Sequence, residues 1–147
     1  MNGTKTIHVF LVALLACLAG CVGEKEEPEW CLHPGDALPR FEVTTVDGVA
    51  VCSDDSNDAE LIIVFFNTSC PDCREELPIL QKQYEENGKL PEAEQSIFIC
   101  ISREEGAADV ERYWSENSLT LPVSPQRDRQ IYSMFASTGI PRIFHAR

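Results

Sequence analysis

The fold of this chain is decided by the stretch LIIVFFNTSCPDC, residues 61–73. Its first six residues form an unbroken β-branched and aromatic run, which predicts a central strand buried on both faces. The polar turn NTS follows, and a helical pattern then runs from Pro71 to Asn87, with apolar residues at spacings of three and four. A buried strand that passes directly into a helix is the basic unit of an α/β domain.

The elements predicted on either side extend this unit. Residues 96–102 form a second buried strand, and residues 107–117 have the spacing of an amphipathic helix. Strand, helix, strand and helix in this order predict parallel strands with right-handed crossovers, and therefore a three-layer α/β domain. An Asp-Gly turn at residues 47–48, between two β-prone runs, predicts a hairpin. Near the C-terminus, a short helix is predicted over residues 128–137 and the start of a strand at 142–145.

Composition excludes several classes of protein. The chain has 147 residues, a hydrophobic fraction of 44% and a formal net charge of −12. That length allows one domain, and that hydrophobic fraction suits a globular core rather than a disordered chain. The charge argues against binding to nucleic acid, because nucleic-acid-binding proteins bring clustered cations to phosphates.

The N-terminal segment predicts export and a lipid anchor. An apolar run over residues 9–19 follows a single lysine. A helix that crosses a bilayer needs about 20 residues, so this run is too short to span one and instead fits a secretory signal. The run ends in LAGC at residues 18–21, which resembles the lipobox of bacterial lipoproteins and implies cleavage before Cys21 and lipidation of its thiol. A plain signal peptide with an incidental cysteine is the alternative.

These features divide the chain into three segments. Residues 1–20 are a predicted lipoprotein signal peptide, residues 21–29 an acidic tether, and residues 30–147 one folded domain. The tether contains four glutamates, so it is expected to be solvated. The domain is therefore expected to lie in the periplasm, held to a bacterial membrane by lipid.

The motif Cys70-Pro71-Asp72-Cys73 carries the predicted chemistry. A spacing of three on a helix places both sulfurs on one face, close enough to form a disulfide. Cys70 lies at the helix N-terminus, where unpaired amides and the helix dipole favour a thiolate, and Pro71 suits the first helical position because it has no N–H to leave unpaired. Cys70 is predicted to attack a partner disulfide, and the more buried Cys73 to resolve the mixed disulfide. The Cys70–Cys73 disulfide is then the redox group, and no prosthetic group is expected.

A structural disulfide and half of a zinc site are the other interpretations of this pair. Zinc usually takes four ligands, whereas this sequence has no second Cys-X-X-Cys, and the histidines after the predicted signal, His33 and His145, are distant in sequence. No metal is therefore predicted. The alternation of strands and helices makes the pair a thioredoxin-type redox signature.

The segment FFNTSCPDCREELP, residues 65–78, resembles the active-site segment of membrane-anchored TlpA/ResA-type thiol–disulfide oxidoreductases. The resemblance extends over residues 34–146 and implies a thioredoxin-like fold with an N-terminal β-hairpin. It also implies that the protein acts on protein disulfides, with cytochrome c maturation as one candidate pathway. Electrons would then come from a membrane thiol carrier.

The same resemblance implies a substrate-binding surface. Pro141, preceded by Ile140, matches the cis-proline loop that packs beside the two sulfurs, where the residue before the proline hydrogen-bonds an extended substrate. Pro71 and Asp72 lie between the cysteines and are assigned to the same surface. An ordinary trans turn at Pro141 is the alternative.

Two further assignments concern protons and redox direction. Glu76 matches a family glutamate that could carry protons for Cys73, with an exposed helix acid as the alternative. Val64 stands where ordinary thioredoxins have a buried Asp, which leaves Glu76 as the nearest proton carrier. Asp72 repels a thiolate at Cys70 and so favours a reductant, unless Arg74 neutralises it.

The remaining cysteines are expected to be structural. Cys31 and Cys52 flank the hairpin, and a disulfide between them would close a loop of about 22 residues, with a stabilisation of about 3 kcal/mol. The sequence leaves that pairing open. Cys100 lies in an apolar strand and is expected to be a buried hydrophobic residue.

The C-terminus is expected to be short for this fold. A thioredoxin-type domain continues past its cis-proline strand with another strand and a covering helix, whereas this chain stops at Arg147, six residues after Pro141. The domain is therefore expected to lack that last strand and helix, as in a truncated product; cover that comes from elsewhere is the alternative. Ile143 or Phe144 should then be partly uncovered.

Three other functions are weighed. Peroxiredoxins place Pro and Thr seven and three residues before their reactive cysteine, where this chain has Ile63 and Asn67. Copper-delivery relatives separate their cysteines by three residues, whereas two intervene here. A redox-inactive module is the third alternative, if the short C-terminus disrupts the fold.

Overall fold

The structure, a computed structural model, describes residues 32–56 and 58–147. Its six strands are β1 (Glu42–Thr44), β2 (Ala50–Cys52), β3 (Leu61–Phe66), β4 (Ile97–Ser102), β5 (Val123–Ser124) and β6 (Arg142–Ala146). Its two α-helices are α1 (Pro71–Asn87) and α2 (Ala107–Glu116), and short 3-10 turns lie at Ser53–Ser56, Glu92–Glu94 and Tyr132–Met134. In the part of the chain that is described, neither helix is long and apolar enough to cross a membrane.

Several predictions fall on residues outside this range. The signal peptide, the lipidated Cys21, the tether and Cys31 all lie outside the described residues, so they stay predictions. Cys52 ends β2 and is half-buried, but its predicted partner is not described.

The strands form two sheets. β1 and β2 pair antiparallel as the predicted hairpin, with Val43 opposite Val51. The main sheet has the order β5-β4-β3-β6, with β3 and β4 parallel and β6 antiparallel to β3. The parallel pair expected from the alternation of strands and helices is confirmed. β5 was not predicted, because two residues are too few to show a periodic pattern.

Alternate residues of β3 face two hydrophobic cores. Ile62, Val64 and Phe66 face the side where α1 and α2 pack, while Leu61, Ile63 and Phe65 face the hairpin. All six are at most 7% exposed, which confirms a strand buried on both faces. Burying one such side chain contributes about 1.5–3 kcal/mol, so this strand anchors both cores.

The layers of the domain differ in one respect from the predicted three-layer arrangement. Both described helices cover the same face of the sheet, while the hairpin and the Tyr132–Met134 turn cover the other. The helix predicted over residues 128–137 is only this single 3-10 turn. Tyr132, Phe135 and Ala136 are buried at helical spacing, which produced the prediction, but the chain leaves the turn once those three side chains reach the core.

The first helix begins and ends where the sequence predicted. Cys70 has extended backbone angles at the N-cap, and Pro71 is the first helical residue. At the other end, Asn87 exchanges two side-chain hydrogen bonds with Ser96, at 2.8 and 2.9 Å. These bonds tie the end of α1 to the segment that enters β4.

β6 lies at one side of the described sheet. Phe144 and Ala146 pack against the core shared with the hairpin, whereas Ile143 is 37% exposed on the alternate face. The expected partial exposure in this strand therefore falls on Ile143.

Candidate active site

The turn before Cys70 is held by the connection between β4 and α2. The Asn67 side-chain amide donates to the carbonyl of Arg103 at 2.9 Å, and the Asn67 side-chain oxygen accepts from the backbone N–H of Ser69 at 2.8 Å. The Asn67 carbonyl accepts from the Cys70 N–H at 3.1 Å. One side chain thus fixes both the conformation of the turn and its position on the sheet.

Thr68 is held on both sides by charged groups. The Glu105 carboxylate accepts from the Thr68 N–H at 2.9 Å and also from the Thr68 hydroxyl, which is a short contact. The Nε of Arg74 donates to the Thr68 carbonyl at 2.5 Å. Sequence reasoning predicted the turn but not Glu105, because that partner comes from another loop, 37 residues away.

Arg74 does not form the ion pair that would neutralise Asp72. Besides the bond to Thr68, the Arg74 guanidinium lies 5.7 Å from the centroid of the Tyr113 ring. Among the described residues no ion pair joins Arg74 to Asp72. The negative charge between the cysteines therefore stays uncompensated by that arginine.

The two thiols of the motif have different environments. Cys70 is partly buried, whereas Cys73 is fully buried and packs with Phe66 in the core beneath α1. Burial above all raises the pKa of Cys73 to about 12; a backbone hydrogen bond from Asn67 opposes this shift, and the adjacent Cys70 and Asp72 add to it. The predicted contrast in burial between the two cysteines is confirmed.

The loop before β6 meets the first cysteine. The Ile140–Pro141 peptide bond is cis, as expected. The Cys70 sulfur lies 3.7 Å from the carbonyl oxygen of Ile140, to which the thiol donates. Pro71 and Asp72 are exposed beside it. The structure therefore brings together the cysteine and the loop that the sequence assigned to one surface.

Tyr132 supports this loop, and sequence reasoning missed it. Its side chain is 1% exposed, and its hydroxyl donates to the Gly139 carbonyl at 2.7 Å. Its ring packs edge-on against Phe65 of the central strand, with centroids 5.4 Å apart. Gly139 has a φ of +82°, a conformation that glycine adopts without strain. Tyr132 thus joins the loop before Pro141 to the core.

Glu76 lies one helical turn after Cys73 and is half-buried. It is not among the groups that shift the pKa of Cys73. Val64, at the position where thioredoxins carry an acid, is fully buried in the core. The role of Glu76 as a proton carrier stays a prediction.

A dithiol that opens a helix after a central parallel strand, and that faces a cis-proline loop, defines a thioredoxin-like protein. The chain belongs to the AhpC/TSA family, whose model matches residues 34–143. It is 25% identical over 148 residues to the thiol–disulfide oxidoreductase ResA of Bacillus cereus, covering 95% of this chain and 82% of that protein.

Solved structures share the fold. The thioredoxin domain of a thiol–disulfide oxidoreductase from Bacteroides vulgatus matches with a TM-score of 0.65 and 20% identity, over 78% of this chain and 81% of that one. The exposed lipoprotein thioredoxin of Streptococcus pneumoniae matches with a TM-score of 0.63 and 17% identity, over 74% and 82%. The thioredoxin-like fold expected from the sequence is thereby confirmed.

The environments of the two thiols predict selective alkylation. At pH 8 a thiol with a pKa of about 12 is ionised in about one molecule in ten thousand. Iodoacetamide should therefore label Cys70 in the folded, reduced protein and leave Cys73 unmodified until guanidinium unfolds the chain. Peptide mapping by mass spectrometry separates these sites from Cys52. Equal labelling rates at Cys70 and Cys73 would contradict the assignment.

The Tyr132 hydroxyl should stabilise the loop that faces Cys70. Tyr132→Phe removes the bond to Gly139 and should cost about 0.5–1.5 kcal/mol of unfolding free energy, measured by denaturant titration. Amide exchange in the loop should rise more than in α1. The control is Tyr84→Phe, because the Tyr84 hydroxyl makes no hydrogen bond among the described residues. The same destabilisation in both variants would show that the hydroxyl of Tyr132 has no special role.

Proposed function

We propose that this chain is a lipid-anchored, periplasm-facing thiol–disulfide oxidoreductase that reduces protein disulfides. The observation that carries the proposal is the position of the Cys70 thiol, partly exposed beside the Ile140 carbonyl, with Cys73 buried behind it. The ResA relatives, named thiol–disulfide oxidoreductases, support the activity. The LAGC segment at residues 18–21 and the pneumococcal relative named a lipoprotein support the anchor on Cys21.

The reaction would proceed in two exchanges. In the first, the Cys70 thiolate attacks one sulfur of the substrate disulfide; that S–S bond breaks, and the other substrate sulfur leaves as a thiolate and takes up a proton. In the second, Cys73 loses its proton and attacks the Cys70 sulfur, which releases the second substrate thiol. Two electrons pass to the substrate, and the Cys70–Cys73 disulfide is left.

Regeneration would need an external dithiol. The Cys70–Cys73 disulfide would be reduced by a thiol carrier in the membrane, which supplies two electrons and two protons. A lipid on Cys21 would hold the domain close to such a carrier. Apocytochrome c is one candidate among the protein substrates, on the strength of the resemblance to TlpA/ResA-type proteins.

The second exchange is the step that needs a base. With a pKa of about 12, the Cys73 thiol is almost entirely protonated at neutral pH. We assign its proton to Glu76, which follows it by one turn of α1, or to water that enters as the mixed disulfide forms. The high pKa therefore slows the second exchange until that proton is removed.

Substrate would be held by backbone contacts at the cis-proline loop. The Ile140 carbonyl lies beside the Cys70 sulfur and is available to accept from a backbone N–H of an extended chain. Pro71 and Asp72 border the same surface and are exposed. Backbone recognition is compatible with several protein substrates, because it does not depend on their side chains.

Trapping tests the proposed chemistry directly. Cys73→Ser stops the reaction after the first exchange, so this variant should accumulate mixed disulfides through Cys70, visible on non-reducing gels and identified by mass spectrometry. Cys70→Ser should trap nothing, and Cys100→Ser should behave like the parent because Cys100 is fully buried. A redox-inactive module would form no adducts with Cys73→Ser, and that result would sink the proposal.

The charge of Asp72 should influence the redox potential. Asp72→His removes an acid from beside Cys70, so the reduced thiolate should become more stable and the potential should rise by about 30 mV or more, which is about tenfold in the equilibrium constant. Equilibration with glutathione buffers measures this potential. Asp109→His makes the same change in the first turn of α2 and serves as a control. An unchanged potential in Asp72→His would refute the electrostatic argument.

A peroxidase is the second candidate, because the chain belongs to the AhpC/TSA family. Two residues weigh against it. Ile63 and Asn67 stand where peroxiredoxins have Pro and Thr. Ile63 is fully buried in the sheet, and the Asn67 side chain is engaged with Arg103 and Ser69. Consumption of hydrogen peroxide by the reduced protein distinguishes the two activities.

A further inference from the structure

Four arginines lie on segments at the edge of the sheet where Cys70 emerges, although the chain as a whole carries a net charge of −12. They are Arg74, Arg127, Arg129 and Arg142, named here the arginine rim. We propose that the arginine rim is a docking surface for polypeptides that carry Asp or Glu beside their disulfide. This inference rests on the proposed reductase function and names a class of substrate for it.

Two rim arginines are anchored on the segments that present Cys70. Arg74 lies in the first turns of α1, and its Nε donates to the Thr68 carbonyl in the turn before the cysteine, at 2.5 Å. Arg142 directly follows the cis-proline, and its Nε donates to the Thr138 carbonyl at 2.8 Å. One rim guanidinium is therefore held on the cysteine segment, and the other is held on the segment that carries the cis-proline.

The other two rim arginines come from the segment between β5 and the Tyr132–Met134 turn. Arg129 donates to the Ser137 carbonyl at 2.7 Å, and its guanidinium lies 5.4 Å from the centroid of the Tyr132 ring. Arg127 is exposed, and its guanidinium rests against Gly106 at the start of α2: a Cβ at that glycine would lie 3.2 Å from the Cζ of Arg127.

The rim is held in place but is not neutralised. A guanidinium has five N–H donors, and Arg74, Arg129 and Arg142 each use one of them on a loop carbonyl. Within the described residues, no carboxylate lies within 4.0 Å of any rim guanidinium. Elsewhere in the described residues Arg40 pairs with Asp54, Lys89 with Glu86 and Arg112 with Asp109, while Lys82 and Arg147 form no ion pair. Fixed guanidinium groups with free donors are suited to bidentate binding of carboxylates.

Three acids at this edge are engaged within the protein. Glu105 accepts from Thr68, Glu104 lies 3.6 Å from Arg103, and Asp128 accepts from the Gln130 N–H. On the first turns of α1, Asp72 and Glu75 are exposed and Glu76 is half-buried. An acidic partner would therefore contact the proline loop and the rim rather than the tip of the motif.

A polypeptide fits this surface better than a membrane does. Arg142 directly follows the loop whose Ile140 carbonyl contacts the Cys70 sulfur, and Arg129 donates to the Ser137 carbonyl just before that loop, so a bilayer bound to the rim would cover the thiol. A substrate chain that runs along the loop would instead bring its disulfide to Cys70 and its flanking carboxylates to the arginines.

The test compares two synthetic peptides, each with one disulfide, flanked either by Glu or by Gln. The reduced full chain, purified in detergent, should reduce the Glu peptide about tenfold faster at low salt, and the preference should fall as salt rises. The double variant Arg129→Gln/Arg142→Gln should reduce that preference to less than threefold. Arg112→Gln removes the same kind of charge from an exposed, paired site on α2 and should keep the preference of the parent protein.

The outcomes distinguish a failure of the docking surface from a failure of the proposed reductase function. Equal rates for the two peptides would overturn the docking surface and leave the reductase in place. Reduction of neither peptide would overturn the proposed function, and the docking surface with it. A third measurement uses Cys21→Ser, which cannot carry the predicted lipid: if this protein binds phosphatidylglycerol vesicles and loses that binding when Arg129 and Arg142 are replaced, the rim belongs to a membrane contact instead.

Discussion

The contact between the Cys70 sulfur and the Ile140 carbonyl joins two segments that are 70 residues apart in the chain. The pairing of β6 with β3 makes this contact possible, because it sets Arg142, next to the cis-proline, opposite Phe65 at the end of the central strand. The reactive thiol and the substrate loop therefore emerge at the same edge of the sheet. The contact between the reactive thiol and the proline loop depends on that register.

The burial of Cys73 creates the asymmetry of the pair. The Cys73 thiol lies in the core beneath α1, whereas Cys70 reaches the surface. The Cys70 sulfur can therefore contact a substrate disulfide, and the Cys73 sulfur can react only with Cys70. A raised pKa means that folding favours the protonated thiol. This contribution to stability is complete below the pKa of the unfolded thiol, near 8.5, and it is lost as the pH rises toward about 12.

Local patterns predicted the elements with strong periodicity. The helix from Pro71 to Asn87 has the predicted bounds, because a proline at the first helical position and an Asn-Gly end are both local signals. The helix predicted over residues 128–137 was too long, because only the 3-10 turn Tyr132–Met134 forms there. Three buried side chains at helical spacing do not determine how many helical backbone hydrogen bonds follow. The two-residue β5 was missed, because it forms only through its pairing with β4.

Sequence alone determined the buried strand, the helix that follows it and the chemistry of the Cys-X-X-Cys motif, because each depends on residues within a few positions of one another. Tertiary structure decided what surrounds the motif. The Glu105 carboxylate accepts a hydrogen bond from Thr68, and the Tyr132 hydroxyl donates one to the Gly139 carbonyl. The Arg74 guanidinium donates to a backbone carbonyl and does not pair with Asp72. These partners come from other loops or compete with a neighbour in sequence, and only the packing of the strands determines which groups lie within hydrogen-bond distance.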